Sequence, residues 1–137
     1  MEQTLILVKP DAFARNLTGE IIARFERKGL RLAALKQMKV SRELAQRHYA
    51  EHAGQDFYDR LITFITSGPL VAMVLEGEQA IGAARQVIGA TDPLQAGAGS
   101  IRGDYAIEIA RNLVHGSDSG DSADREVGLF FPELARS

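Results

Sequence analysis

The chain has 137 residues, 45% hydrophobic and 25% charged, an ordinary balance for a soluble globular protein; 1–137 reads as a single domain with its own core. A net charge of −2 gives no electrostatic case for nucleic acid as the main partner, and the lack of cysteine excludes a disulfide framework or a thiolate site. Met1-Glu2-Gln3 carries no positively charged leader region, and no apolar run approaches the ~18 residues of a membrane span. The expected location is therefore cytoplasmic, with no membrane partner.

Thr4 to Val8 is an apolar run of strand length that stops at Lys9-Pro10, because proline restricts the residue before it. From Thr18 to Lys28, Ile21, Ile22 and Phe25 recur at helical spacing, and Gly29 stands where a C-cap glycine belongs. Leu30 to Val40 alternates as a second strand. Ser41 is placed to cap a helix running to about His52, with Leu44, His48, Tyr49 and His52 along one side. Asp56 to Ile65 reads as a short helix carrying Phe57, Leu61 and Phe64, broken by Gly68-Pro69 ahead of a buried strand over Leu70 to Leu75. Glu78 to Ile88 has a helical apolar stripe. Residues 89–112 read as one long loop, long enough to suggest a functional role. A short strand at Leu113-Val114 and a helix over Ser122 to Leu129 complete the chain. Alternating strands and helices would by themselves suggest a parallel α/β sheet.

The densest chemistry lies in Asn112-Leu113-Val114-His115-Gly116-Ser117-Asp118-Ser119. It sets a histidine at the mouth of a turn rich in backbone N–H groups and hydroxyls, which suit an anion held against the ring. An isolated loop histidine is more often inert; this setting favours one that accepts a phosphoryl group.

Asn-x-x-His-Gly-Ser-Asp-Ser resembles the active-site signature of the nucleoside diphosphate kinase family. The likeness extends along nearly the whole chain, through Lys9-Pro10-Asp11, His48-Tyr49, Thr66-Ser67-Gly68-Pro69, Thr91-Asp92-Pro93 and Ile101-Arg102-Gly103-Asp104. The resemblance implies an α+β, ferredoxin-like βαββαβ sandwich with a four-stranded antiparallel sheet and a long loop inserted at 89–112. It further implies transfer of the γ-phosphate of a nucleoside triphosphate to a nucleoside diphosphate through a phosphohistidine at His115, maintaining triphosphate pools. Arg85, Thr91 and Arg102 would hold the phosphates, Lys9 and Asn112 the ribose hydroxyls, and Phe57 with Leu61 the base by stacking. Position alone would leave Lys9 solvated, Arg85 covering the core with its stem, and Phe57 in the core. Tyr49 resembles the tyrosine near the catalytic imidazole. Glu126, on the helix after the motif, is placed to bond the second ring nitrogen, with Ser117 supporting either that glutamate or the phosphoryl group. Mg2+ would arrive with the nucleotide, bound by no protein atom directly, with Asp118 placed to touch it through water. A closed homo-oligomer is implied, a hexamer ahead of a tetramer or dimer.

The chain departs from the common pattern at Gly97-Ala98-Gly99-Ser100, where many relatives have a proline; without it the loop is expected to be more mobile. Phe130 stands where tryptophan is frequent. A rival reading lies in His48-Tyr49-Ala50-Glu51-His52, which satisfies the short zinc-peptidase pattern His-x-x-Glu-His if both histidines share a helix face. A non-enzymatic binding module is the other alternative, since fold alone does not determine function.

Overall fold

The computed structural model describes residues 1–134; the last three residues of the expected domain lie outside the described residues. Four strands, β1 (Glu2–Val8), β2 (Arg31–Met38), β3 (Leu70–Gly77) and β4 (Val114–Gly116), form one sheet in the order β2-β3-β1-β4. Every pairing is antiparallel, so the sheet has the ferredoxin-like form rather than the parallel one. Central β1 and β3 are buried on both faces and therefore read as unbroken apolar runs, whereas β2, at the sheet edge, alternates.

Side-chain alternation along β1 assigns each residue to one of two layers. Ile6 and Val8 meet α2 (Thr18–Lys28) and α5 (Ala80–Ile88) through Ile21, Phe25, Ala84 and Ile88. Leu5 and Leu7 face the opposite layer of α3 (Arg42–His48), α4 (Tyr58–Ile65) and α7 (Gly120–Phe130) through Ala45, Ile62, Ile65, Val127 and Phe130. Each fully buried Ile, Leu or Phe contributes roughly 1.5–3 kcal/mol relative to exposure. The expected stop at Gly29 is present, with φ +106°, a conformation that any Cβ would strain.

Four local expectations need correction. Pro10 not only ends β1 but opens α1 (Pro10–Ala14), since its ring suits the first helical turn. The helix from Ser41 ends at His48: Tyr49 leaves helical geometry, and a 3-10 turn over Ala50–His52 follows. Region 89–112 is not wholly loop, for Ser100 caps α6 (Ile101–Tyr105) by accepting a hydrogen bond from the Gly103 N–H. The last helix begins at Gly120 under Ser119, and Ser122 is the residue whose N–H the cap receives. In the segment that lacks the proline, Ser100 donates to Gly97 O, Gly99 donates to Asp104, and Arg24 donates to Gly99 O.

Candidate active site

His115 lies inside β4, directly opposite Leu7 of β1, not in the turn that follows. Opposed residues of an antiparallel pair project to the same face, so its ring enters the layer of α3 and α7. Just before it, Leu113 has φ +77° and Val114 N donates to Asn112 O, making a γ-turn of the strained hand. Lys9 N donating to Leu113 O and Leu113 N donating to Asp11 hold the kink in place. This turn starts β4 one residue later than the expected Leu113.

Nε2 of His115 lies 2.8 Å from Glu126 Oε1, which also accepts the Ser117 hydroxyl at 2.7 Å. Ser117 is itself locked to β1, its Oγ accepting from Leu5 N and its N–H donating to Leu5 O. Burial works to raise the Glu126 carboxyl, but the hydrogen bonds from His115 and Ser117 outweigh it and hold it at about 2. Glu126 is therefore a carboxylate at neutral pH and can only accept. That assigns the ring proton to Nε2 and leaves the lone pair on Nδ1, which makes no hydrogen bond among the described residues. His115 itself is partly exposed at the cleft wall.

The imidazole of His48 stands edge-on to His115 at 4.8 Å and is enclosed by Tyr49 and Phe130 at 4.6 and 5.3 Å. Burial, helped by repulsion from His115, pushes His48 down to about 3, so it is neutral. Burial likewise pushes the Tyr49 hydroxyl up to about 12, with the Glu126 charge adding to the rise. His48 is the residue whose place beside His115 sequence reasoning missed; its adjacency to Tyr49 was the available signal. His52 instead approaches Phe57, with ring centres 5.4 Å apart. The cluster capable of gripping a metal among the described residues is His48, His115 and Glu126, so the His48–Glu51–His52 arrangement of a zinc peptidase is not formed.

Two adjoining hollows meet at His115. The smaller, about 240 Å³, is lined by Arg85, Thr91, Arg102, Asp118 and Arg125 besides the imidazoles. The larger, about 700 Å³, runs from Lys9, Thr91 and Asn112 to an apolar wall of Phe57, Leu61 and Phe64. Arg60 and Arg111, not singled out from sequence, also line it. Lys9 donates to Asn112 Oδ1 at 2.6 Å, and the Asn112 amide donates to Thr91 O. Burial pushes the Lys9 ammonium down to about 8, with Asp11 opposing the fall and Arg102 adding to it.

Arg102, expected in a loop, is on α6 and buried. It donates to the carbonyls of Asn112, Gly89 and Val114, clipping 89–112 to β4, which leaves two of its five N–H groups for a ligand. Burial, then the nearby Arg85, lowers it to about 10. Beside it, Gly103 lets α6 pack closely on the preceding turn, because a Cβ there would run into Gly97 O. Arg85 donates to Gly116 O. All twelve residues expected in the site, Asp118 included, thus line these hollows or support those that do.

A cleft with an apolar slot at one end, paired polar groups midway and cations around an oriented imidazole is that of a nucleotide phosphotransferase. A sequence model of the nucleoside diphosphate kinase family matches residues 2–135. The chain is 62% identical over 134 residues to the nucleoside diphosphate kinase of Nocardia farcinica, covering 97% of this chain and 96% of that one. It is 58% identical over 135 residues to that of Frankia casuarinae, with 98% of each chain covered. A crystal structure of a nucleoside diphosphate kinase family protein from Babesia bovis superimposes with TM-score 0.95 at 43% identity, covering 100% of this chain and 93% of that one. The enzyme from Encephalitozoon cuniculi also gives 0.95, at 39% identity with the same coverage. The chain belongs to the nucleoside diphosphate kinase family, phosphotransferases that move phosphate between nucleoside tri- and diphosphates.

Proposed function

We propose that the chain acts as a single catalytic domain in which Nδ1 of His115 takes the γ-phosphoryl group of a nucleoside triphosphate and returns it to a nucleoside diphosphate. The observation that carries this reading is the engagement of Nε2 by Glu126. One cleft cannot seat donor and acceptor nucleotides together, so the group waits on the protein between two half-reactions. The Nδ1 lone pair attacks phosphorus, the Pγ–O bond to the departing diphosphate breaks, and its electron pair leaves with that oxygen. Glu126 holds the proton on Nε2 and steadies the ring as it becomes cationic; Ser117 steadies Glu126, and Tyr49 packs against this group.

Arg85, Arg102 and Thr91 are assigned to the phosphates and Lys9 and Asn112 to the ribose, with the base stacked on Phe57 beside Leu61. An apolar slot without base-edge donors favours tolerance of any base. The exposed Asp118 beside the two arginines fits an ion that keeps most of its waters and binds phosphate oxygens. Mg2+ supplies charge neutralisation on the phosphates when it arrives with the nucleotide. In the cell this activity would maintain (deoxy)nucleoside triphosphate pools in the cytoplasm; among the described residues, no helix is long and apolar enough to cross a membrane. Exposed Leu94, Ile107 and Ile109 favour burial against further copies, a hexamer before a tetramer or dimer.

The test is incubation with γ-labelled ATP and Mg2+. The protein should acquire a label stable in alkali and lost in acid, and any nucleoside diphosphate should remove it. Persistent transfer in the His115→Gln protein would overturn the mechanism.

A further inference from the structure

His48 contacts neither slot nor phosphates in the proposed scheme, yet its Nδ1 is buried without a hydrogen-bond partner. Such a group calls for an explanation, because burying a polar atom without a partner is costly. A ring nitrogen of His48, a ring nitrogen of His115 and a carboxylate oxygen of Glu126 lie within 4.8 Å of one another. Two imidazoles and one carboxylate are a donor set that zinc accepts with a fourth position open. We propose that His48, His115 and Glu126 form a site for a borderline transition cation of the zinc class, filled when nucleotide is absent and closing His115 to phosphoryl transfer.

Tetrahedral ligation at ~2.1 Å needs ligand atoms about 3.4 Å apart, so side-chain rotation has to close the cluster from its present spacing of up to 4.8 Å. Nε2 of His115 and Glu126 already stand closer than that, at 2.8 Å, and separate slightly as the ion enters, the Nε2 proton passing to Nδ1. Repulsion does not prohibit entry, since Arg85, Arg102 and Arg125 around the hollow are matched by Glu51, Asp118 and Glu126. The hollow supplies room for a water as fourth ligand. Mg2+ is excluded by chemistry, preferring an all-oxygen shell to imidazole. The bound ion engages the ring that carries the phosphoryl group, so ligation and phosphorylation exclude each other. That consequence rests on the phosphohistidine reading; the site itself does not.

The test reads metal, not turnover. Calorimetric titration of Zn2+ into the nucleotide-free, chelator-free protein should show one ion per chain, with no comparable signal from Mg2+. His48→Ala and Glu126→Gln should each weaken it roughly tenfold or more, whereas His52→Ala should not. Imidazole NMR of the wild-type protein provides a check that needs no variant: Zn2+ should shift the ring signals of His48 and His115 but not His52. Absence of stoichiometric Zn2+ binding, or ring shifts confined to His52, would overturn the proposal. Phosphoryl transfer measured with Mg2+ and no zinc would be untouched by that failure, and failure of transfer would not touch the metal result.

Discussion

Replacing Glu126 by Gln changes one atom's chemistry at the point where the ring is oriented. The carboxylate holds its charge down to about 2 against an ordinary 4.5, because Nε2–H of His115 and the Ser117 hydroxyl both donate to Oε1. An amide still fits but accepts a neutral bond where a charge-assisted one stood, a loss of roughly 1–2 kcal/mol. If the amide turns its NH2 toward the ring, Nε2 becomes the acceptor and the proton moves to Nδ1, the attacking atom. We expect the first half-reaction to slow by roughly 10- to 100-fold, at ~1.4 kcal/mol per tenfold, with nucleotide affinity little changed because Glu126 touches no nucleotide. Rapid-quench measurement of phosphoenzyme formation separates these terms. Unaltered phosphorylation in a correctly folded Glu126→Gln protein would refute the assignment of Nδ1 as nucleophile through this hydrogen bond.

Three further outcomes follow from the same geometry. Lys9, lowered to about 8, loses its charge as pH rises through that value, so KM should climb between pH ~7 and ~9.5; a flat profile would show that the ammonium does not bind nucleotide. His48, lowered from 6.5 to about 3, is neutral in the fold while the unfolded chain takes up a proton as pH falls below 6.5. Stability should drop by about 2–3 kcal/mol between pH 6.5 and 4.5, above the window in which Glu126 contributes, and denaturant titration of His48→Gln should show a shallower slope there. Because Lys9 and Asn112 form one hydrogen-bonded pair in the ribose region, 3′-deoxynucleotides should react at least roughly tenfold more slowly than their parents, while change of base has little effect; strong selection of one base would contradict stacking on Phe57.

The strands and longer helices were legible because their burial is one-sided or complete, and both leave a pattern in apolar spacing. Alternation alone pointed to a parallel sheet, and only the family resemblance supplied the antiparallel order, since pairing is set between segments far apart in sequence. The residues around His115 were legible as a set, again through that resemblance. What each side chain does locally was less so. Arg102 reads as a free phosphate ligand but is first a clip across three carbonyls, which no spacing encodes. His48 invites pairing with His52 one helical turn on, yet the helix ends at His48 and the chain turns His52 toward Phe57. The γ-turn at Leu113 gave no sign, because a leucine with positive φ is held there by contacts from Lys9 and Asp11, a hundred residues away in the chain.

The proposed transfer turns on one atom, the ring nitrogen that receives phosphorus. Protein carrying isotope-labelled histidine, phosphorylated by ATP and Mg2+ and examined in alkali by phosphorus–nitrogen coupling NMR, reports which ring nitrogen bears phosphorus. The arrangement of His115 and Glu126 predicts a single phosphohistidine on Nδ1 of His115. Phosphorus on Nε2, on His48 or His52, or on no histidine at all would contradict it.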